Sequence, residues 1–209
     1  NHYWGVNTMT KKSGLITALL FLSSTAIAAD LDTLKTECDA CHGPNGASTH
    51  AEIPIIGGQT SKFLAKTLRG YRMWDRPCVK SEYPGGPKAG QQTDMCKVAG
   101  ALSDDDISAL ADWYAAQPFV PAKQEFDPAL AAAGAALHAE HCETCHEQGG
   151  KRPDRGPRLA GQWTDYMAAT IKFVPTGEHM VPPMMERRVA DFSKEEITQL
   201  LNYYASQQD

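Results

Sequence analysis

The sequence predicts an all-α protein made of two similar domains in tandem. The first observation is an internal repeat, because Cys-x-x-Cys-His at residues 38–42 returns at 142–146 and each copy is followed by Pro-x-x-x-Gly-Gln, at 54–59 and at 157–162. The second is that each copy closes with a capped helical pattern. The third is that no run of alternating apolar and polar residues is long enough for a useful strand. The two copies are about a hundred residues apart, and a repeat of this length indicates a duplicated domain rather than a solenoid.

The closing helices carry the clearest local signals. Ser103 and Ser193 are N-cap residues, and the acids three positions later, Asp106 and Glu196, complete a capping box. Apolar side chains then recur at helical spacing, so one face of each helix is predicted to pack into a core. These side chains are Ile107, Leu110, Ala111 and Tyr114 in the first copy and Ile197, Leu200, Leu201 and Tyr204 in the second.

The first 28 residues read as a targeting segment. Met9-Thr10-Lys11-Lys12 is a basic start, an apolar run follows from Leu15 to Leu22, and Ala26-Ile27-Ala28 is a small-x-small cleavage signal. This pattern is typical of a secretory signal peptide and is too short for a membrane span. Residues 1–28 are therefore predicted to be an N-terminal extension plus a signal peptide, with 1–8 lying upstream of the natural-looking start. Cleavage near Ala28 would release the mature protein into the periplasm.

The mature chain divides at a proline-punctuated connector, residues 118–123. Asp127 and Pro128 then provide an N-cap and a proline at the first helical position, and the helix that they open is expected to run to Cys142. The predicted domains are residues 29–118 and 119–209.

The net charge of the chain limits the classes of partner that it can bind. The formal net charge is -5 at pH 7, and removal of residues 1–28 would take away two lysines and leave the mature protein more acidic. Such a protein is a poor candidate for binding nucleic acid or an anionic membrane surface.

Cys-x-x-Cys-His at a helix end has a specific chemistry. Its two thiols add across the vinyl groups of heme as thioethers, and the adjacent histidine ligates the iron. The alternatives are a chance match or a zinc or redox cysteine pair, but zinc would need further Cys or His ligands that neither copy offers. Two hemes c are therefore predicted, attached through Cys38, Cys41, Cys142 and Cys145, with His42 and His146 as axial ligands.

A methionine thioether suits the sixth iron position because it favours reduced iron. Met95 stands eight residues before Ser103, and Met185 stands eight residues before Ser193. These equivalent positions predict Met95 and Met185 as the ligands, with the adjacent Met184 as the alternative in the second copy.

Two cysteines lie outside the heme motifs, in an insertion found in the first copy alone. In an exported protein Cys78 and Cys96 most simply form a disulfide, which would restrain the Met95 segment by about 3 kcal/mol. The alternative is that Cys96, beside Met95, is itself an iron ligand and opens sulfur chemistry.

Other polar groups give weaker signals. His138 and His141 share a helical face, and His179 adjoins Met180, so either pair could bind an additional metal, although isolated histidines are more often hydrogen-bonded or exposed. Basic residues of both copies are interpreted as solvated faces, some of which pair with heme propionates. These are Arg69, Arg72, Arg76, Lys151, Arg152, Arg155 and Arg158.

Both halves resemble class I cytochrome c domains, through the heme motif, Pro-x-Leu/Ile-x-Gly-Gln, a late methionine and a final helix with paired aromatics. The resemblance implies His/Met ligation and two domains related by pseudo-twofold symmetry. It also implies that the carbonyls of Pro54 and Pro157 accept the Nδ1 protons of His42 and His146. Tandem pairs of this kind are similar to the diheme subunit of flavocytochrome c sulfide dehydrogenase and to free diheme carriers that feed terminal oxidases.

Three functions follow as hypotheses. The protein is a periplasmic electron-transfer subunit that accepts electrons from a sulfide-oxidising flavoprotein, a free diheme shuttle from a quinol-oxidising complex to a terminal oxidase, or a heme enzyme that oxidises a sulfur compound such as thiosulfate. Closed His/Met ligation favours the two carriers over the enzyme, and the divergent first copy favours a fixed subunit.

Overall fold

The computed structural model describes residues 1–2, 5 and 30–209. The predicted signal peptide lies outside these residues. In the first half the helices are α1 (Leu31–His42), α2 (Ser61–Arg72), α3 (Met95–Gly100) and α4 (Asp104–Ala115), with a 3-10 turn at Pro44–Gly46 and short strands β1 (Ser81–Glu82) and β2 (Gln92–Thr93). In the second half they are α5 (Pro128–His141), α6 (Thr164–Ile171), α7 (Pro183–Asp191) and α8 (Lys194–Ser206). Among the described helices, none combines the length and apolar character that crossing a membrane requires.

The first half folds around helix α4. Its predicted capping box is present: the Ser103 hydroxyl accepts from the Asp106 amide, and the Asp106 carboxylate accepts from the Ser103 amide. All four residues of the predicted apolar face are buried and pack with Leu64 and Ala65 of α2. The helical periodicity of the sequence therefore identified this core correctly.

The second half is organised by the crossing of α5 and α8. Asp127 caps α5 as predicted, accepting from the amides of Ala129 and Leu130. At Gly134 a Cβ atom would lie 2.0 Å from the carbonyl oxygen of Gln199, so the two helices approach more closely than any side chain would allow. Leu200 and Tyr204 of the predicted α8 face are buried, whereas Ile197 and Leu201 are half-buried.

An insertion between α2 and α3 covers the first heme motif. It contains the antiparallel pair β1–β2, a short exception to the expected absence of strands. The Tyr83 hydroxyl at its centre donates to Glu37 of α1 at 3.0 Å. At Gly86 a Cβ atom would lie 3.1 Å from the Cβ of Ala40, which is between the two cysteines of the motif. The insertion therefore packs directly on the segment 38–42.

The two halves contact each other through several hydrogen bonds. The Trp163 indole donates to the carbonyl of Ser48 at 2.9 Å, and the Tyr166 amide donates to the carbonyl of Ala51 at 3.0 Å. The Met180 amide donates to the carbonyl of Asp75 at 3.1 Å, so a loop of the second half also meets the insertion. The fold is all-α, with two tandem domains packed together.

Candidate heme sites

The first Cys-x-x-Cys-His motif is helical to its end. Helix α1 runs through Cys38 and Cys41 and finishes at His42, so the helical spacing places both sulfurs on neighbouring turns. Neither cysteine is in a disulfide. Burial raises the pKa of the Cys38 thiol to about 12, so the unattached thiol is protonated. The buried Tyr114 hydroxyl donates to Asp39, between the cysteines, at 2.7 Å.

The second motif is held differently. Helix α5 ends at His141, one residue before the expected limit, and Cys142 to His146 lie in turns. Glu143 supplies the missing constraint, because its carboxylate accepts from the amides of Gln148 at 2.7 Å and Gly149 at 3.0 Å. These bonds, the Gly149 amide first, lower the pKa of Glu143. This role of Glu143 was not predicted from the sequence, although an acid follows the first cysteine in both motifs.

The histidines of both motifs are buried and oriented by a proline carbonyl. His42 Nδ1 lies 2.9 Å from the oxygen of Pro54, and His146 Nδ1 lies 3.0 Å from the oxygen of Pro157. A carbonyl can accept but not donate, so each Nδ1 carries the hydrogen. Burial lowers the pKa of both histidines, which keeps them neutral. A neutral imidazole protonated at Nδ1 has its lone pair at Nε2, as an iron ligand requires.

The chain leaves room for the second histidine at Gly156. A Cβ atom there would lie 2.6 Å from Cε1 and 2.8 Å from Nδ1 of His146. Any side chain would therefore displace the imidazole from the Pro157 carbonyl. The neutral imidazoles of His42 and His146 suit a heme iron, and the space beside Gly156 lets His146 keep its position.

The candidate methionine ligands lie at the beginnings of two short helices. Met95 is the first residue of α3, which Asp94 caps by accepting from the Lys97 amide at 2.8 Å. Met185 is in the first turn of α7 and, like Met95, is half-buried. The side chain of Met184 is 66% exposed, which favours Met185 of the two.

The surplus cysteines are joined. Cys78 and Cys96 form a disulfide with their Cα atoms 5.5 Å apart, and Cys96 is buried. A sulfur in a disulfide is not a thiolate ligand. This arrangement opposes the alternative in which Cys96 binds the first iron.

The histidine pairs differ in what they leave for a metal. Both ring nitrogens of His138 are engaged, since Nδ1 lies 2.9 Å from the Tyr204 hydroxyl and Nε2 donates to Glu143 at 2.8 Å. The His138/His141 pair therefore has no free nitrogen on His138. His179 is buried, but the side chain of its neighbour Met180 is 63% exposed.

Arg76 corrects the interpretation of the basic residues as solvated faces. Its guanidinium carbon lies 5.0 Å from the centre of the Tyr71 ring, and its Nε is buried without a partner. Burial lowers the pKa of the His179 imidazole, in the second half, and the nearby charge of Arg76 adds to this effect, so that the pKa falls to about 4. His179 Nδ1 is also buried without a partner. The unpartnered Nε–H of Arg76 suits a carboxylate such as a heme propionate.

Known protein families match both halves of the chain. Residues 32–115 match the family model described as "Cytochrome c", and residues 129–203 match "Cytochrome C oxidase, cbb3-type, subunit III". "Cytochrome c4" of Azotobacter vinelandii is 30% identical over 176 residues, which cover 75% of this chain and 79% of the relative. "Thiosulfate dehydrogenase electron acceptor" of Stutzerimonas stutzeri (strain A1501) is 32% identical over 79 residues, 38% of this chain and 32% of the relative.

A solved structure has the same fold over nearly the whole chain. The reduced recombinant cytochrome c4 of Pseudomonas stutzeri superimposes with a TM-score of 0.66 at 25% identity, covering 86% of this chain and all of that one. Two cytochrome c domains carry two covalently bound hemes c. The sequence-based prediction of two tandem class I domains with pseudo-twofold symmetry is confirmed, and the chain belongs to the cytochrome c4 family of diheme c-type cytochromes.

Proposed function

We propose that this protein is a periplasmic electron carrier that accepts electrons from one redox protein and delivers them to another. The observation that carries the proposal is the matching donor set of the two halves. Each has a buried, neutral histidine, His42 or His146, and a half-buried methionine, Met95 or Met185, at the equivalent place before the closing helix. When bound, each heme supplies a one-electron couple. One histidine and one methionine for each heme would leave no open iron position for a substrate, which suits electron transfer.

The proposal assigns the attachment residues as the sequence predicted them. Residues 29–118 form one domain and residues 119–209 the other. Each domain would hold one heme through two thioethers, a histidine and a methionine. The assigned residues are Cys38, Cys41, His42 and Met95 in the first domain and Cys142, Cys145, His146 and Met185 in the second.

Three features of the chain would tune this chemistry. The carbonyls of Pro54 and Pro157 accept the Nδ1–H of the proximal histidines and so increase their basicity toward iron. Arg76 would contribute positive charge beside a propionate, because its Nε is buried and unpartnered. The insertion that packs on Ala40 would limit the access of water to the edge of the first heme motif.

Periplasmic location is part of the proposal. The basic start, apolar run and small-x-small site between Met9 and Ala28 support export. The Cys78–Cys96 disulfide suits an oxidising compartment.

We also propose candidates for the redox partners of the protein. A sulfide-oxidising flavoprotein as the electron donor stays a prediction, as does a shuttle from a quinol-oxidising complex to a terminal oxidase. Similarity to cytochromes c4 over three quarters of the chain favours a carrier. Local similarity to a thiosulfate dehydrogenase electron acceptor favours, as a second candidate, the acceptance of electrons from a thiosulfate-oxidising enzyme.

The carrier is tested with the purified holoprotein. We expect a mass that exceeds the mature chain by two hemes, with no heme extracted by acid acetone. We expect no carbon monoxide binding by the ferrous protein and no reduction of the ferric protein by thiosulfate alone. Carbon monoxide binding together with turnover of thiosulfate would replace the carrier with the enzyme. A pull-down from native periplasm, read for flavin absorbance, distinguishes the flavoprotein donor from the other donors.

A further inference from the structure

The two Pro-x-x-x-Gly-Gln segments meet at the boundary between the domains. Gln162 of the second domain accepts from the amide of Ile55 at 2.9 Å and donates to the carbonyl of the same residue at 2.9 Å. Gln59 of the first domain makes the reciprocal pair, accepting from the amide of Arg158 at 2.9 Å and donating to its carbonyl at 3.0 Å. We call this set of four hydrogen bonds the crossed glutamine clamp.

The clamp is buried and chemically specific. Gln59 and Gln162 are each 3% exposed, and Ile55 is 2% exposed. A primary amide is the side-chain group that offers a donor and an acceptor at the spacing of a backbone peptide, and here both are used. A buried donor or acceptor left without its partner is costly, so the amides fix how the two segments face each other.

The residues that the clamp holds lie next to the acceptors of the proximal histidines. The carbonyl of Pro54 and the amide of Ile55 belong to one peptide unit, and that unit is planar. Its N–H donates to Gln162 while its carbonyl accepts from His42 at 2.9 Å. In the same way the peptide unit between Pro157 and Arg158 joins Gln59 to His146.

We propose that each glutamine is a positioning residue for the heme of the other domain. Gln162 fixes the plane of the peptide unit that orients His42, and Gln59 does the same for His146. Hydrogen bonds in series also polarise one another, so a bonded N–H makes the carbonyl of the same unit a stronger acceptor. A stronger acceptor at Nδ1 makes the imidazole a better donor to iron and favours the ferric state. The potential of each heme therefore depends on its contact with the other domain.

The test replaces one amide at a time by an apolar side chain of similar length. Gln162→Met should raise the potential of the first heme, with a change of about threefold to tenfold in its reduction equilibrium; tenfold is about 59 mV for one electron. The potential of the second heme should stay unchanged. Gln59→Met should show the opposite distribution. Each potential is assigned to its heme by comparison with Met95→His and Met185→His, which alter one heme each.

Trp163→Phe is the matched control. It removes another hydrogen bond between the domains, from the Trp163 indole to Ser48, and keeps the backbone amide of residue 163 that donates to Gln162. It should leave both potentials unchanged. Proton NMR of the histidine Nδ1–H adds a structural readout, because Gln162→Met should speed the exchange of the His42 proton and not that of His146.

The crossed pattern decides the outcome. A shift confined to the heme of the substituted domain, equal shifts at both hemes, or a similar shift in Trp163→Phe would overturn the proposal. Gln162→Asn, which keeps the amide but is one methylene too short, gives the same readout should the methionine variant not accumulate.

Discussion

The two Cys-x-x-Cys-His motifs contain the same cysteines and histidine at the same spacing, but the chain supports them by different means. In the first domain α1 continues through Cys38 to His42, and the disulfide-bridged insertion packs against it at Ala40. In the second domain α5 ends before Cys142, and the Glu143 carboxylate holds the following turn through two backbone amides. Cys145 is exposed, whereas Cys41 is half-buried. Heme attachment requires the same motif in both domains. A helix with a packed insertion supports it in the first domain, and the Glu143 carboxylate does so in the second.

The equivalent tyrosines of the closing helices show the same difference. Tyr114 donates directly to Asp39, the acid after the first cysteine. Tyr204 reaches Glu143, at the same motif position, through the ring of His138. His138 is 1% exposed and fully partnered, so it is a structural link of the second domain.

The largest expected effect comes from the candidate methionine ligands. Met95→His and Met185→His should each remove the near-infrared thioether-to-iron band of one heme and lower its potential by on the order of 100 mV, because imidazole favours ferric iron more than a thioether does. Redox titration with near-infrared absorbance measures both. Met184→His is the control and should change neither. If Met184→His removes the band and Met185→His leaves it, the assignment in the second domain is wrong.

The second prediction isolates the disulfide of the first domain. Replacing Cys78 and Cys96 together by serine should lower the free energy of unfolding of the first domain by about 3 kcal/mol, because the bridge closes a loop with a sequence separation of 18. The second domain should unfold as before. Denaturant titration followed at heme-resolved NMR signals makes the comparison.

Thiol chemistry supplies the control for that variant. The wild-type holoprotein, unfolded without reductant, should show no thiol reactive toward alkylating reagents, and reduction should expose two. A reactive Cys96 whose replacement alone alters the spectrum of the first heme would contradict the disulfide and support the enzyme.

Helix periodicity and residue chemistry predicted most of this molecule. The capping boxes at Ser103 and Ser193, the cap at Asp127 and the buried face of α4 follow from local sequence, which is why they were predictable. The crossed glutamine clamp was not, since Gln59 and Gln162 contact residues about a hundred positions away and a glutamine carries no signal of its partner. The burial of Arg76 was not predictable either, because it depends on contacts between the domains.

The third prediction compares the acids of the two motifs. Glu143→Gln should lower the free energy of unfolding by about 1 to 2 kcal/mol. The carboxylate accepts hydrogen bonds from Gln148, Gly149 and His138, and the new NH2 group would face one or more of these donors without being able to accept. Asp39→Asn should lower the free energy of unfolding by less than about 1 kcal/mol, since the amide carbonyl can still accept from the Tyr114 hydroxyl. Thermal unfolding of the two holoproteins, read at the heme of each domain, measures the difference. Equal costs would mean that the carboxylate does not replace the missing helical turn.

The smallest expected effect concerns His179, where the two domains meet. Burial first, and the nearby Arg76 second, lower the pKa of His179 to about 4 in the folded protein, whereas an unfolded histidine has a pKa of about 6.5. Between these values the unfolded state binds the proton more strongly, so the folded protein loses stability as the pH falls through this window. Linkage gives a loss of about 1 kcal/mol between pH 7 and pH 5.5 from this residue. Denaturant titrations at the two pH values should show that loss, and His179→Gln should remove it, whereas His50→Gln, at an exposed histidine, should keep it. An unchanged pH dependence in His179→Gln would mean that folding does not lower the pKa of His179.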